Sequence, residues 1–236
     1  MAETERRLYG RRRSRKLSPR QKEICDNLLP ELRIDLGKSV GEDLCGLFTM
    51  PVSDVWLEIG FGAGEHLAWQ ADNHPQIGFI GCEPYVNGVA KLLLRIETGG
   101  LQNIRILDDD ARLLFGWLPK ASIGRIFLLF PDPWPKRRHR KRRFVTHILL
   151  DDLGRIMRQG AILRIASDIG GFVRSTLSVM AHHDEFQWLD NGPSDWRRRP
   201  DDWPATRYEQ KAICAGRRPV YLTFAHRRRS PKSGFR

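Results

Sequence analysis

The chain has 236 residues, 41% of them hydrophobic, with 40 Lys and Arg against 28 Asp and Glu and a formal net charge of +12. That apolar content supports a packed core and excludes wholesale disorder, and no apolar run approaches the roughly 20 residues that cross a bilayer. The positive excess says nothing about fold but predicts attraction to a polyanion, either nucleic acid or an anionic membrane surface.

In chain order, residues 1–20 form a basic arm that includes RRLYGRRRSRK from Arg6 to Lys16. A block of like charge is expected to lack fixed structure on its own. It has no apolar h-region of a signal peptide, so the chain is expected to be cytoplasmic. Ser18-Pro19 reads as an N-cap followed by proline in the first turn, and predicts a short helix over residues 19–29. From residue 55, strand-length apolar runs alternate with periodic segments of helix length. The predicted strands are 55–59, 77–82, 104–107, 123–130 and 161–166, and the predicted helices are 65–73, 86–97, 111–118, 144–157 and 171–183. Such alternation implies βαβ units: an α/β fold with a mostly parallel twisted sheet and helices on both faces. Residues 220–225 predict one more strand, antiparallel at the sheet edge, before a basic tail over residues 229–236. A single domain over residues 21–228 is expected to hold all these elements.

In an open parallel sheet, ligands bind beyond the carboxyl ends of the strands. After the first strand stands Glu58-Ile59-Gly60-Phe61-Gly62-Ala63-Gly64-Glu65. Glycines there let the chain turn sharply and approach a ligand closely. The spacing is GxGxG, not the GxGxxG of dinucleotide folds. The flanking acids also disfavour a pyrophosphate, which wants a helix N-terminus free of negative charge. A cationic or unphosphorylated ligand suits them better. Glu83, at the end of the second strand, is positioned to accept hydrogen bonds from two ribose hydroxyls. Asp108, Asp109 and Asp110 follow the third strand; an acid there accepts from an adenine amino group or caps the next helix. Together these features point to a nucleoside cofactor. No pair among Cys25, Cys45, Cys82 and Cys214 has CxxC spacing and no histidine stands at a ligand offset, so no metal site is expected.

The fourth strand runs into LFPDPWPKRRHRKRRFV. Asp132 stands at its exit among Pro131, Pro133 and Pro135, which fix φ and bar helix. Then, from Lys136 to Arg143, every residue but His139 is Lys or Arg. A charge run is usually a solvated face; one that abuts a strand-end acid suits RNA phosphates beside a reacting site. Trp134 either stacks on a base or covers the core, and the N-terminal arginines offer a second, less specific anchor.

The segment VWLEIGFGAGEHL resembles the glycine-rich motif of class I S-adenosylmethionine-dependent methyltransferases, whose fold is Rossmann-like. LFPDPWPKRRHRKRR, ASDIGGF and PATRYEQKA narrow the resemblance to the tRNA (guanine-N7-)-methyltransferase family, from about residue 8 to the C-terminus. It implies S-adenosylmethionine as cofactor, S-adenosylhomocysteine as product, and tRNA as partner, with a variable-loop guanosine as methyl acceptor. It further implies a monomer or homodimer without a membrane or an obligate protein partner. By the same resemblance Glu58, Gly60, Glu83, Asp110 and Asp132 contact the cofactor, and Asp132 is the catalytic acid. Lys136, Asp168, Thr206, Arg207, Tyr208 and Glu209 would hold the substrate nucleotide, while Arg138, His139, Arg140, Lys141, Arg142 and Arg143 would meet RNA.

The chemistry agrees with that assignment. Guanine N7 is an unprotonated acceptor, so no base has to deprotonate it, and catalysis rests on alignment and electrostatics. Asp132 then stabilises positive charge as it migrates. Asp168 and Glu209 are the acids expected to accept from the N1–H and 2-amino group of guanine; the alternative for Asp168 is a helix N-cap. Two other readings compete. A non-catalytic RNA-binding protein would have no use for Glu58, Gly60, Gly62, Glu83 and Asp132 together, and a nicotinamide-dependent oxidoreductase is disfavoured by the glycine spacing and the basic run.

Overall fold

In the computed structural model, which describes residues 12–134 and 136–227 except the side chains of Arg137, Arg140 and Lys141, the apolar runs assemble into one seven-stranded sheet. Its strands are β1 (Asp54–Ile59), β2 (Ile77–Cys82), β3 (Ile104–Leu107), β4 (Ile123–Leu129), β5 (Met157–Ser167), β6 (Phe186–Trp188) and β7 (Val220–His226). The spatial order is β3-β2-β1-β4-β5-β7-β6. β1 to β5 pair in parallel, and β7 runs antiparallel to both β5 and β6. The order reverses between β1 and β4, which is where an open α/β sheet leaves a crevice.

The helices are α1 (Pro19–Asn27), α2 (Leu29–Leu32), α3 (Glu65–Asn73), α4 (Val86–Gly99), α5 (Ala111–Trp117), α6 (His147–Ile156), α7 (Gly170–Met180), α8 (Pro193–Arg197) and α9 (Arg207–Cys214). Side chains alternate across the pleat. On β4, Ile126 and Leu128 join the core that holds Leu114, Leu150 and Leu153 of α5 and α6, while Phe127 joins the opposite core with Leu67, Leu92 and Leu93 of α3 and α4. The helical stripes fit the period of 3.6: α4 buries Val89, Leu92, Leu93 and Ile96, and α6 buries Leu149, Leu150, Leu153 and Ile156. Truncating such a fully buried leucine to alanine costs about 2–5 kcal/mol.

α1 starts where the Ser18-Pro19 signal puts it. The Ser18 hydroxyl accepts from Gln21 N–H at 3.2 Å, and the Gln21 side chain accepts from Ser18 N–H at 3.1 Å, a capping box. Other boundaries differ from expectation. The predicted strand 220–225 is antiparallel, but it does not form the edge: β6 pairs outside it through Phe186, Gln187 and Trp188. Three residues are too few to show an alternation. The helix expected over 144–157 begins at His147, because Thr146 Oγ1 caps it by accepting from Leu149 N–H at 3.2 Å. Its last expected residue, Met157, instead opens β5 by pairing with Ile123.

Of the basic arm expected over residues 1–20, residues 12–15 meet the start of α4. Val86 N–H donates to the Arg12 carbonyl at 3.0 Å, Asn87 Nδ2 donates to the Arg15 carbonyl at 2.9 Å, and Arg12 pairs with Asp109. Residues 1–11 and the basic tail expected over 229–236 lie outside the described residues. Among the described residues no helix is long and apolar enough to cross a membrane, and no group of three or more His, Cys, Asp or Glu is arranged to hold a metal ion.

Candidate active site

At the carboxyl ends of β1, β2 and β4 the chain encloses a cavity of about 440 Å³. The glycine turn forms one wall. Gly60, Gly62 and Gly64 all have positive φ, at 74°, 58° and 69°, the left-handed region that only glycine visits without strain. Close approach matters as well. A Cβ on Gly88 of α4 would stand 2.2 Å from the Gly62 carbonyl oxygen, and one on Gly62 would stand 3.1 Å from the ring of Tyr208.

Three carboxylates line this cavity: Glu83, Asp110 and Asp132. Glu83 is buried, and its Oε2 accepts from Gly62 N–H at 2.7 Å while Oε1 accepts from Tyr85 N–H at 3.0 Å. Burial pushes its carboxyl up to about 7, against the two backbone donors, with further upward pressure from Asp132 and Glu58. Asp110 caps α5 by accepting from Arg112 N–H at 3.0 Å, and both its oxygens also meet the Arg112 guanidinium. Of the two roles expected for an acid here, the helix cap falls on Asp110, which also lines the cavity. Asp108 and Asp109 turn elsewhere, to Arg33 and Arg12.

The two acids flanking the glycine turn, Glu58 and Glu65, do not line this cavity. Glu58 lies in an adjoining cleft, where its Oε2 is 2.6 Å from Nδ1 of buried His66. His66 Nε2 is 3.2 Å from Gln70 Nε2, and that amide also donates to the Asp202 carbonyl at 2.7 Å. With Gln70 as donor to both, His66 is left to donate from Nδ1 to Glu58. Glu65 accepts from Arg207 N–H at 2.7 Å and lies 3.8 Å from Arg95. Gly60 lines both the cavity and the cleft.

The exit from β4 is bent. Phe130 and Trp134 have φ of 50° and 40°, a conformation that costs a non-glycine residue about 1–3 kcal/mol. Between them Asp132 is exposed at the cavity wall. The basic run forms a 3-10 helix over Arg137–Arg142. Arg142 lines the cavity and places its guanidinium 4.8 Å from the centre of the Trp134 ring, with His139 edge-on to that ring at 5.5 Å. Partial desolvation, then the charges of Arg142, Arg138 and Lys136, lower the pKa of His139. Lys136 and Arg138 are exposed. Arg143 is directed inward instead and donates from Nη1 to Ser175 Oγ at 3.1 Å. The side chains of Arg140 and Lys141 lie outside the described residues.

The remaining predicted site residues sit around α9. Thr206 is its N-cap, accepting from Glu209 N–H at 3.2 Å, and Tyr208 lines the cavity against Gly62. Burial, then the charge of Glu83, raises the Tyr208 hydroxyl pKa. Glu209 points away from the cavity. It is buried, and its Oε1 accepts from Tyr221 OH at 2.7 Å and from Arg199 at 3.0 Å. Asp168, at the end of β5, pairs with Arg217 and does not cap α7, whose N-cap is Ile169. The sequence reading missed His66, Arg199, Arg217 and Tyr221. Only His66 left a local trace, its spacing of four from Gln70 on one helix face.

A family model described as "Putative methyltransferase" matches residues 53–222. The tRNA (guanine-N(7)-)-methyltransferase of Rhodospirillum rubrum is 48% identical over 231 residues, covering 97% of this chain and 91% of that protein. The protein of the same name from Brucella abortus is 46% identical over 219 residues, covering 93% of this chain and 94% of that one. Among solved structures, the 16S rRNA methyltransferase KamB superposes with a TM-score of 0.52 at 15% identity, covering 75% of this chain and 89% of that chain. An rRNA methylase from Streptococcus thermophilus gives a TM-score of 0.51 at 12% identity, covering 78% and 92%. At such identities the likeness shows the fold alone, a Rossmann-like α/β fold of the class I methyltransferases. With the family model spanning residues 53–222 and close to half of all positions shared along nearly the whole chain, this protein belongs to the tRNA (guanine-N7-)-methyltransferase family.

Proposed function

We propose that this chain is a cytoplasmic, S-adenosylmethionine-dependent methyltransferase that forms N7-methylguanosine in the variable loop of tRNA. The observation that carries the reading is the meeting of Glu83, Asp110 and Asp132 on one cavity beside the glycine turn, in a chain 48% identical to a relative of that name. The cavity walls suit the cofactor. Among the described residues buried Glu83 has only backbone donors on its oxygens, and burial raises its pKa to about 7, so its ionised form gains from the hydroxyl donors of a ribose. Ile59, Leu128 and Leu129 offer apolar surface for a purine ring. The acids favour a cation and oppose a phosphate.

When bound, S-adenosylmethionine supplies a methyl group activated by a positively charged sulfur. Glu83 accepts from the ribose hydroxyls, and Asp110 accepts from the adenine amino group while it caps α5. Gly60 and Gly62 let the backbone pass close to the ligand. Glu58 acts one step removed, fixed by His66 beneath the turn.

Asp132 does not act as a base, because guanine N7 carries no proton. It offers a negative charge at the cavity wall that stabilises the positive charge as it passes to the purine, an electrostatic role. Asp168 accepts from N1–H and the 2-amino group, which turns N7 toward the cavity; adenine lacks that donor pair. Tyr208 faces the cavity and flanks the base, while Thr206 and Arg207 hold the first turn of α9 in place. Glu209, tied to Tyr221 and Arg199, anchors the same segment from below. Lys136, Arg138, His139 and Arg142, with Arg140 and Lys141 of the same run, lie along the RNA backbone. Donor and base segments come from one chain, so no second protein is required, whether it acts as monomer or homodimer.

The test is a pair of transcripts of one tRNA, identical except that the variable-loop guanosine of one is replaced by 7-deazaguanosine. Label from methyl-labelled cofactor enters the first and not the second if the reading holds. Equal labelling of both would reject it.

A further inference from the structure

Asp168 stands just past β5, and its Oδ2 receives Nε–H of Arg217 at 2.5 Å. The Arg217 backbone is fixed by the end of α9. Its backbone N–H donates to the Ala212 carbonyl at 2.9 Å, and Gly216, at φ 70°, closes α9 by donating to Ile213 at 2.9 Å, the left-handed cap that ends many helices. The opposite end of α9 is pinned to the donor side, through Arg207 N–H on Glu65 and Tyr208 on Gly62. One short helix therefore has its first turn at the glycine loop and its last turn at Asp168. Strand pairing fixes the same ends: Ser167 of β5 is opposite Val220 of β7, and Phe130 N–H donates to Ala166 at 2.8 Å. The exits leading to Asp132 and Asp168 thus leave the sheet side by side.

A partly exposed ion pair contributes little to folding; the side chains of Asp168 and Arg217 are 14% and 46% exposed. Its consequence is geometric. Accepting two in-plane donors from a guanine edge requires the carboxylate in one orientation, and a lone aspartate samples several. Arg217 uses one position on Oδ2, and a carboxylate offers about four such positions over its two oxygens.

We propose that Arg217 is a positioning residue for base selection: carried on the cap of α9, it orients Asp168 for the N1–H and 2-amino group of guanine. This rests on the reading of Asp168 as the guanine acceptor.

The test compares two transcripts of one tRNA with guanosine or inosine at the target position. Inosine keeps N7 and N1–H and lacks the 2-amino group. The ratio of kcat/KM for the two transcripts is measured for the unaltered protein, Arg217→Gln, Arg217→Lys, Asp168→Asn and the double variant Asp168→Asn/Arg217→Gln. Binding of S-adenosylhomocysteine to each serves as the check on folding. Losing a hydrogen bond to a charged group corresponds to a factor of roughly ten to a hundred, so the unaltered protein is expected to prefer guanosine by about that much. Asp168→Asn should flatten the preference. Arg217→Gln should lower it severalfold with donor binding kept, Arg217→Lys should recover part of it, and the double variant should match Asp168→Asn alone. If Asp168→Asn flattens the preference but Arg217→Gln does not, or if the two losses multiply in the double variant, Arg217 has no positioning role. If Asp168→Asn leaves the preference intact, the reading of Asp168 falls first and the inference with it.

Discussion

Calorimetric titration of S-adenosylhomocysteine between about pH 6 and about pH 8 reads the charge on Glu83. Burial raises this carboxyl from 4.5 to about 7, and only the ionised form is a full acceptor for ribose hydroxyls. Roughly a tenth of it is ionised at pH 6 and roughly nine-tenths at pH 8, and apparent affinity scales with the competent fraction, so affinity should rise about tenfold across that range and then level off. The ligand-free protein moves the other way. Folding favours the protonated form, a contribution of about 3 kcal/mol that is fully present below pH 4.5 and lost as pH rises through about 7. Glu83→Gln should abolish the pH dependence of binding while leaving any titration of the ligand itself. Asp132→Asn removes a charge that holds Glu83 up, so it should move the midpoint to lower pH. A flat profile in the unaltered protein, or an undiminished slope in Glu83→Gln, would refute the reasoning.

Asp132→Ala should reduce methyl transfer by roughly 10²–10³-fold with tRNA binding in a gel-shift assay largely kept; parallel loss of both would count against an electrostatic role at the reacting centre. Gly88→Ala puts a Cβ 2.2 Å from the Gly62 carbonyl, so thermal unfolding should show a loss of about 1–3 kcal/mol and donor binding should weaken. An unchanged melting temperature would mean that α4 does not press on the turn. Arg138 is exposed and Arg143 is engaged with Ser175. Arg138→Ala should therefore reduce the slope of log affinity against log salt by roughly 0.7–0.9, and Arg143→Ala should leave it unchanged; the reverse pattern would move the RNA path off the outer face of the basic run.

The parallel sheet was legible because each parallel strand is a mostly apolar stretch followed within two residues by a glycine, proline or acid. β6, α2 and α8 were not, because three to five residues carry fewer than two periods of their own pattern. Pairing order leaves no local trace, so β7 read as an edge when β6 covers it. Glu83, Asp110 and Asp132 were legible as acids just beyond strand ends, and they share one cavity. Glu58 and Glu65 flank the glycine turn at the end of β1, and the protein occupies them with His66 and with Arg207 and Arg95. The partners of Glu65, Asp168 and Glu209 illustrate the limit. Arg207 is 142 positions from Glu65, and Arg217 is 49 from Asp168. Glu209 meets Tyr221 across 12 positions. None of these separations falls within a helical or strand repeat.

The most direct measurement incubates the purified chain with methyl-labelled S-adenosylmethionine and an unmodified tRNA transcript, then digests the RNA to nucleosides. The label is predicted in N7-methylguanosine, one per transcript, from the variable loop. Recovery of the label in any other nucleoside, or none in RNA while S-adenosylhomocysteine still binds, would contradict the account.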